Sequence, residues 1–320
     1  MGKGRQDFYR GQLPELLAAL SHTARIASIR ASNAIEGVEV GTERAARLVE
    51  GARFRNRNEK EFAGYRDAVD DLMSGDPEPM SVPLLLHFHR QVFRHVDGRG
   101  GHLKQDANLI VSYEGGRRTV IFEPPDERET PFLLEEAIAR YLDAQRAGVA
   151  HPVVLLAAFV LDLLAIHPVA DGNGRVARLA TTSELMRLEY RVARYVSVEQ
   201  QIYETKNAYY AALQESQRGW HEARHSIWPW VGYLAMVLAE AYDAFERRVA
   251  ADRSQGAASK QDRVRQHVLE HAADEFRLAD IRTAMPGVSD ETIRIVLSDL
   301  KRSGELRVEG RGRGARWLRV

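Results

Sequence analysis

The chain has 320 residues, which is long enough for a sizeable hydrophobic core and for more than one domain. Hydrophobic residues make up 44% and charged residues 28%, which is typical of a soluble globular protein, and the apolar runs are too short to indicate a membrane span or a signal peptide. The lack of cysteine excludes disulfides and thiolate metal sites and is typical of a cytoplasmic protein, while the formal net charge of zero gives no sign of a polyanionic partner.

The first predicted helix covers residues 11–31, where apolar residues recur at helical spacing. It is followed at 32–37 by Ser-Asn-Ala-Ile-Glu-Gly. Taken alone, this stretch predicts only the end of a helix at a glycine.

Two further helices are predicted over 59–73 and 82–96, on either side of a segment rich in glycine, proline and acidic residues. The second contains His87, His89 and His95. Residues two apart do not share a helix face, so these histidines are not expected to form a metal site.

The clearest β pattern consists of two β-rich runs, 109–113 and 118–122, around a turn that contains glycine. They predict a hairpin. Because an isolated hairpin is only marginally stable in water, it is expected to lie on the surface of a larger domain.

Helices are predicted next over 131–147 and 153–166, and the second is apolar enough to be buried. Directly after it comes a polar loop at 167–178, with the sequence His-Pro-Val-Ala-Asp-Gly-Asn-Gly-Arg-Val-Ala-Arg. A helical pattern resumes near Arg175.

The loop at 167–178 predicts an anion-binding site. Gly172 and Gly174 let the backbone turn sharply, and the helix that begins near Arg175 presents free N–H groups and its positive dipole end. A calcium loop would need Asp or Asn where Arg175 stands and Glu where Thr182 stands, and a Walker loop would need Gly-Lys-Ser/Thr, so neither alternative fits. An ordinary turn would not need the imidazole, carboxylate, carboxamide and two guanidinium groups of this stretch.

Residues 197–216 predict a helix that carries Tyr209 and Tyr210, which are either core aromatics or part of a binding site. The stretch at 221–225 fits the His-Glu-x-x-His pattern of zinc proteases. Its flanking residues, however, predict a loop between helices and not the apolar-faced helix that such a zinc site requires.

A long helix is predicted over 230–249, and the polar, small residues of 251–260 predict a linker at a domain boundary. Residues 261–320 predict three helices and a hairpin. Apolar residues recur with the helical spacing i, i+3, i+4 and i+7 from Ile293 to Leu300, with Ser289 as the candidate N-cap. The order resembles a winged helix-turn-helix domain.

The end of the chain is locally basic. Residues 301–320 contain seven Lys or Arg (301, 302, 307, 311, 313, 316 and 319) against acidic residues at 305 and 309. Such a wing suits contact with a phosphate backbone, whereas Asp290 and Glu291 would repel phosphate at the start of the presumed recognition helix. For 261–320, DNA binding and protein docking both remain open.

The loop at 167–178 resembles the signature of the Fic family, His-Pro-Phe-x-Asp/Glu-Gly-Asn-Gly-Arg-x-x-Arg. It matches every defined position except Val169, where the family has phenylalanine. The resemblance implies a mainly α fold, a Fic-type helical bundle with a small β-hairpin flap, followed here by the winged helix-turn-helix domain. The smaller Val169 is expected to keep the loop apolar and to affect its rigidity more than its chemistry.

The expected domain organisation is given by four ranges. They are an N-terminal helical region with an inhibitory motif over 1–100, a Fic core over 101–250, a linker over 251–260 and a winged domain over 261–320.

The resemblance implies protein AMPylation, the transfer of AMP from ATP to a Tyr, Thr or Ser hydroxyl of a protein target or of the protein itself. His167 is implied as the general base, since a neutral imidazole can take the proton of the attacking hydroxyl, and Asp171 as the ligand of Mg²⁺. Strand addition to the flap at Leu109, Ile110 and Val111 would hold the target. The residues implied in ATP binding are Gly172, Asn173, Gly174, Arg175, Arg178, Tyr209 and Tyr210.

Beside such a signature, residues 32–37 match the family's inhibitory pattern, Ser/Thr-x-x-x-Glu-Gly/Asn. The resemblance then implies that Ser32 and Glu36 belong to an inhibitory motif in which Glu36 pairs with Arg178. A carboxylate that occupies the guanidinium group leaves none for the terminal phosphate of the nucleotide.

Several alternatives stay open. The Fic-like domain could sense a nucleotide within a transcription regulator, transfer another phosphate-containing group, or use Glu36 to direct water in removing AMP. A zinc protease is a further alternative. A homodimer is compatible with the sequence, and a cytoplasmic protein without membrane contact is expected.

Overall fold

The computed structural model describes residues 14–96, 98, 100–114, 116–285, 288–310 and 315–320. The chain is mainly α-helical with small antiparallel sheets, and it divides into two compact units, Met1–Phe245 and Glu246–Val320. Among the described residues, no helix combines the length and the apolar character needed to cross a membrane.

The first unit is built mainly from helices. Their bounds are α1 Pro14–Ile35, α2 Thr42–Val49, α3 Arg57–Ser74, α4 Val82–Val92, α5 Thr130–Ala147, α6 Pro152–Ile166, α7 Asn173–Arg187, α8 Val198–Glu204 and α9 Lys206–Gln217, with a short 3-10 helix at Arg191–Arg194. The next helix, α10, runs over Trp228–Glu270, and the division between the units falls within it.

Helices α6 and α7 form the centre of the first unit. The sequence of α6 is apolar around almost its whole circumference, and its side chains are largely buried, as the sequence predicts. Its one charged residue, Asp162, accepts a hydrogen bond from Trp220 Nε1 at 2.8 Å, and burial raises the pKa of that carboxyl. Nearly all side chains of α7 are buried too, because α1, α3, α4 and α6 pack around it.

The predicted hairpin is present as β1, Ile110–Glu114, and β2, Arg117–Phe122. The strands pair antiparallel, with a bulge between Ile110 and Val111. Gly115 of the turn lies outside the described residues. Strand β2 packs near α9, so the hairpin lies beside the helical core and is not an isolated excursion.

Two predicted helices have different bounds in the structure. The helix predicted over 11–31 continues to Ile35, which places Ser32 in its last turn, and residues 11–13 lie outside the described part. The single helix predicted over 197–216 is wrong, since Thr205 separates α8 from α9. The Thr205 hydroxyl pairs with the Tyr233 hydroxyl at 2.8 Å, a contact between distant residues that local sequence does not show.

The second unit contains the end of α10, two shorter helices and a small sheet, which share one core. Its further elements are β3 Glu275–Arg277, α11 Leu278–Ala284, α12 Asp290–Arg302, β4 Leu306–Glu309 and β5 Arg316–Arg319, with the strand order β3-β5-β4. The predicted apolar stripe of α12 is confirmed, because Ile293, Val296, Leu297 and Leu300 are buried in one core. Sequence reasoning missed β3, a strand of three residues.

The segment predicted as a linker, 251–260, is helical and lies inside α10. The physical reason is its composition. Alanine, glutamine, lysine and arginine favour helix, and the single Gly256 costs only about 1 kcal/mol against alanine. The first helix predicted for 261–320 is likewise the end of α10.

Ion pairs reduce the positive charge that the sequence count gives to the end of the chain. The pairs are Arg302 with Asp299, Arg307 with Glu309, Arg316 with Glu275, and Arg319 with Asp274. Asp290, which opens α12, pairs with Arg282 of α11, so its charge is also compensated. Arg311 and Arg313 lie outside the described residues.

Candidate functional site

The loop at 167–172 joins the end of α6 to the start of α7, and His167 is its first residue. His167 has φ 52° and ψ 59°, a left-handed conformation that is uncommon for a residue with a side chain and costs of order 1–3 kcal/mol. Its ring Nδ1 lies 3.3 Å from the Leu164 carbonyl, which can only accept, so Nδ1 carries the proton. In the neutral ring, Nε2 is then the nitrogen that can accept a proton.

Burial determines the protonation state of His167. It lowers the pKa of the imidazole from 6.5 to about 4, although the Leu164 carbonyl acts in the opposite direction. The ring is therefore neutral at physiological pH, as a general base must be before it takes a proton.

Asn173 fixes the loop from inside. Its side chain accepts a hydrogen bond from Val169 N at 3.0 Å and donates one to Val169 O at 2.6 Å, and both residues are buried. Gly172 precedes it with φ 83°, and a Cβ there would approach a ring carbon of Phe93 to 2.8 Å. The side chain of Asn173 thus serves the loop's own backbone, and its predicted contact with a phosphate stays a prediction.

The structure brings Arg178 and the stretch at 32–37 together across more than a hundred positions of sequence. Arg178 is buried and donates from Nε to Ser32 Oγ at 2.8 Å, from Nη2 to Ser32 O at 3.1 Å, and from Nη2 to Glu36 Oε1 at 2.7 Å. Burial acts to raise the pKa of Glu36, but the charge and hydrogen bond of Arg178, together with the charge of Arg175, hold that pKa below its ordinary value. The Glu36 carboxylate is therefore ionised beside a fixed cation.

Glu36 also approaches the start of α7. A Cβ built on Gly174 would overlap Glu36 Oε1, so a side chain at position 174 would push the carboxylate away from the start of the helix. The first turn of a helix carries free N–H groups and a partial positive charge, which favour an anion there. Glu36 thus lies where the sequence predicts a phosphate.

A cavity of about 740 Å³ opens beside Glu36 and Arg178, and its volume is large enough for a nucleotide. Of the predicted site residues it is lined by Glu36, Ile110, Val111, His167, Gly174, Arg178, Tyr209 and Tyr210. The other predicted site residues, Ser32, Leu109, Asp171, Gly172, Asn173 and Arg175, lie outside this lining.

Arg175 is engaged elsewhere. Its side chain is only 2% exposed, and Nη1 donates to Glu61 Oε2 at 2.9 Å while the guanidinium lies 4.9 Å from the centre of the Phe93 ring. Glu61 in turn pairs with Arg57 at 2.8 Å. Sequence reasoning missed Glu61, because no spacing links a glutamate on α3 to an arginine more than a hundred residues later.

Tyr209 and Tyr210 have different surroundings. Tyr209 is buried among Tyr233 and Trp230 with ring centres 5.8 and 5.5 Å away, whereas Tyr210 is exposed. Lys206, also missed from sequence, lines the same cavity. Its Nζ donates to Ile35 O at 3.0 Å, next to Glu36, and lies 5.8 Å from the centre of the Tyr210 ring.

Asp171 is the predicted magnesium ligand. Its side chain is 53% exposed, and Oδ1 lies 3.8 Å from Arg175 Nη2. Among the described residues there is no group of three or more His, Cys, Asp or Glu side chains that could hold a metal ion. An exposed carboxylate does fit the usual mode of Mg²⁺, which takes one or two carboxylates and completes its shell with water and substrate phosphates.

The His-Glu-x-x-His stretch lies in the loop between α9 and α10, as expected. Ala223, inside the pattern, has φ 52°, and His221 Nε2 lies 2.8 Å from Glu123 O while its ring stacks on Phe122. The two histidines are thus not on one face of a helix, which the zinc-protease alternative requires.

Residues 79–185, which include α4, the hairpin, α5, α6, the loop and most of α7, match the model of the Fic/DOC family. The chain therefore carries a Fic/DOC family domain. The match begins within the N-terminal helical region predicted over 1–100 and ends within the Fic core predicted over 101–250, so these domain bounds stay a prediction.

Curated relatives agree with this assignment. The chain is 30% identical over 167 residues to a protein adenylyltransferase Fic of Drosophila yakuba and 30% identical over 162 residues to one of Culex quinquefasciatus. These matches cover 52% and 50% of this chain but 29% and 28% of the relatives, so the chain spans less than a third of their length.

Solved structures share the fold. A Fic family protein from Desulfovibrio desulfuricans superposes with a TM-score of 0.56 and 21% identity, over 94% of this chain and 87% of that one. A Fic domain containing signaling protein from Bacteroides thetaiotaomicron gives a TM-score of 0.63 and 19% identity, over 76% of this chain and 94% of that one.

Proposed function

We propose that the protein is an adenylyltransferase that transfers AMP from ATP to a hydroxyl side chain of a protein, or of itself, and that Glu36 restrains it. The observation that carries the proposal is the contact of Glu36 with Arg178 and Gly174 in the wall of a cavity that His167 also lines. A base, an anion site and a competing carboxylate thus share one cavity.

In the proposed reaction the hydroxyl oxygen of the target attacks the α-phosphorus of ATP. The bond from that phosphorus to the bridging oxygen of the β-phosphate breaks, pyrophosphate leaves, and the proton of the hydroxyl moves to Nε2 of His167. The arrangement supports this assignment, because Nδ1 is already committed to the Leu164 carbonyl and the ring is neutral.

Negative charge on the phosphates would be met by two groups of this chain. The first turn of α7, at Gly174, offers backbone N–H groups, and Arg178 offers a guanidinium that can bind phosphate oxygens in pairs. Asp171 would hold Mg²⁺, which when bound neutralises charge on the phosphates. Because Arg175 is bound to Glu61 and buried, we assign it to supporting the loop and not to phosphate contact.

The restraint follows from geometry. Arg178 Nη2 cannot serve Glu36 and a terminal phosphate at once, and the Glu36 carboxylate would repel that phosphate. Lys206 holds the carbonyl of the preceding residue, Ile35, and so keeps the end of α1 at the cavity. The wild-type protein is therefore mostly inactive until Glu36 moves away.

The target would bind along the hairpin, since Ile110, Val111 and Ser112 of β1 line the cavity. Addition of a target strand to a sheet edge recognises backbone more than sequence. This mode brings a hydroxyl side chain beside His167 without specifying which protein carries it.

The test uses ATP labelled at the α-phosphate and cell lysate as the source of targets. The Glu36→Gly protein should transfer label to proteins, with modified residues identified by mass spectrometry, and Glu36→Gly/His167→Ala should transfer none while keeping its fold. Saturable ATP binding by Glu36→Gly without any transfer would contradict the proposal and would favour a nucleotide sensor.

For the second unit we propose a docking domain of the winged helix-turn-helix type. The end of α10, α11, α12 and a three-stranded sheet share one core, which supports this arrangement, and the ion pairs of its arginines favour a protein partner over a phosphate backbone. The full chain should show no salt-sensitive binding to duplex DNA in fluorescence anisotropy. Binding that weakens steeply with salt and is lost on removal of 271–320 would contradict this proposal.

A further inference from the structure

A buried lysine and an asparagine, which neither the sequence motifs nor the proposed reaction uses, hold the backbone around His167. Lys104 lies in the loop that precedes β1, and its side chain is buried. Its Nζ donates to Ile166 O at 3.1 Å and to Asn108 Oδ1 at 3.0 Å, and its backbone N donates to Pro168 O at 2.9 Å.

Asn108 completes the set. Its Nδ2 donates to His167 O at 3.3 Å and to Val169 O at 3.1 Å. Four successive carbonyls, from residue 166 to residue 169, therefore accept hydrogen bonds from these two residues. We call Lys104 and Asn108 with these bonds the strap.

The strap acts where the backbone is least favourable. His167 has a left-handed conformation, and such a residue persists only when its surroundings determine it from several sides. The strap binds the carbonyls of Ile166 and His167, which belong to the two peptide units on either side of the His167 Cα. The direction of the imidazole follows from this backbone and from the contact of Nδ1 with Leu164 O.

We propose that Lys104 and Asn108 are positioning residues that hold His167 in the conformation in which its imidazole lines the cavity as the general base. The catalytic part of this inference rests on the proposed function. The structural part does not, because the strap would order the loop whatever reaction the site performs.

Charge gives Lys104 a second measurable effect. Burial lowers the pKa of Lys104 to about 8, against the opposing charges of Asp126 and Glu127, so the ammonium is mainly charged at neutral pH. That charge is one of the causes that lower the pKa of His167.

Two carboxylates act on His167 in the opposite direction to Lys104. Glu36 and Asp171 both raise the pKa of the imidazole, by less than burial lowers it. Removing the Lys104 charge should therefore raise the pKa of His167, while leaving it below 6.5 because burial remains.

The experiment compares Lys104→Met, Lys104→Arg and Asn108→Ala in the full-length Glu36→Gly protein. Lys104→Met and Asn108→Ala should each lower kcat, by about a hundredfold if the base is displaced by about 1 Å, with the KM for ATP unchanged. Lys104→Arg, which keeps a charged donor, should recover part of the loss.

Two readouts do not depend on turnover. In protein with isotope-labelled histidine, NMR titration should show a higher pKa for His167 in Lys104→Met but not in Asn108→Ala, with the resonance assigned by His167→Gln. Amide hydrogen exchange at 167–172 should become faster in both variants and stay unchanged elsewhere in the chain.

The outcomes separate the two proposals. If Glu36→Gly transfers no AMP, the proposed function fails. The NMR titration of His167 and amide hydrogen exchange at 167–172 still show whether the strap holds the loop. The positioning role of the strap would be overturned if both variants left amide hydrogen exchange at 167–172 and kcat unchanged. A higher KM for ATP with unchanged kcat would overturn it as well. If Lys104→Met does not fold, Asn108→Ala carries the same test, since Asn108 is only partly buried.

Discussion

Replacing Glu36 by glycine should convert a restrained protein into an active one, and the contacts of Glu36 set the size of the change. Glu36 Oε1 accepts a hydrogen bond from Arg178 Nη2 at 2.7 Å, and the Glu36 side chain is 30% exposed while that of Arg178 is 4% exposed. Arg178 retains its two contacts with Ser32, so the substitution frees one donor and removes one negative charge without releasing the whole side chain.

A hydrogen bond to a charged group contributes about 1.5–3 kcal/mol. If ATP must displace Glu36 from Arg178, its removal should tighten ATP binding by roughly 10- to 100-fold, because each 1.4 kcal/mol corresponds to a factor of about ten. Glu36→Gln keeps an acceptor for Nη2 without the charge, so it should fall between wild type and glycine.

Calorimetric titration with ATP in the presence of magnesium measures this change directly, and initial rates with α-labelled ATP measure its consequence. The matched control is Glu39→Gly, which removes a glutamate from the same connecting segment, three residues further along the chain. The reasoning is refuted if Glu36→Gly binds ATP with wild-type affinity, or if Glu39→Gly produces the same gain.

Other substitutions test the supports of the site. Glu61→Ala should destabilise the first unit by about 3–5 kcal/mol in urea unfolding, because it leaves the buried Arg175 with only the exposed Asp171, 3.8 Å away; Glu61→Met with Arg175→Met should recover most of the loss, and no loss in the single variant would contradict the buried pair. Asn173→Ala should cost about 1–3 kcal/mol, since the buried Val169 amide loses its partner while the Val169 carbonyl keeps only its bond from Asn108, and unchanged hydrogen exchange in the loop would argue against this role. Burial lowers the pKa of His89 and of His167 to about 4, so between about pH 4 and the ordinary value of 6.5 the unfolded chain binds more protons than the folded chain. The contribution of these histidines to the free energy of unfolding should therefore be complete above that window and should decrease as pH falls through it. His89→Gln should reduce the slope of the free energy of unfolding against pH by up to about 1.4 kcal/mol per pH unit, and an unchanged slope would contradict a neutral buried His89.

Local sequence determined the elements of the first unit well where periodicity was long and consistent. The apolar run of α6 predicted a buried helix, and the hairpin was predicted to within a residue at each end. Prediction from sequence failed where the local sequence is compatible with two different secondary structures. Residues 251–260 suit a linker or a helix equally, and the break at Thr205 lies where its hydroxyl contacts the distant Tyr233.

At the candidate site too, the local sequence of the loop at 167–178 predicted some features, and long-range contacts decided the others. Its residue types predicted a base, an anion site and a sharp turn, because imidazole, glycine and a helix start have those properties in any fold. The sequence could not assign different tasks to its two arginines. Arg178 reaches Glu36 in the wall of the cavity, while Arg175 is bound to Glu61 away from it.

The sequence by itself thus determined the chemistry available at 167–178 and the presence of a candidate inhibitory glutamate at 36. Only the tertiary structure decided which groups meet. Glu36 contacts Arg178, Glu61 contacts Arg175, and the strap at Lys104 contacts the backbone before His167. The physical reason is that each of these contacts joins residues more than sixty positions apart, so it depends on how the helices pack and not on any local propensity.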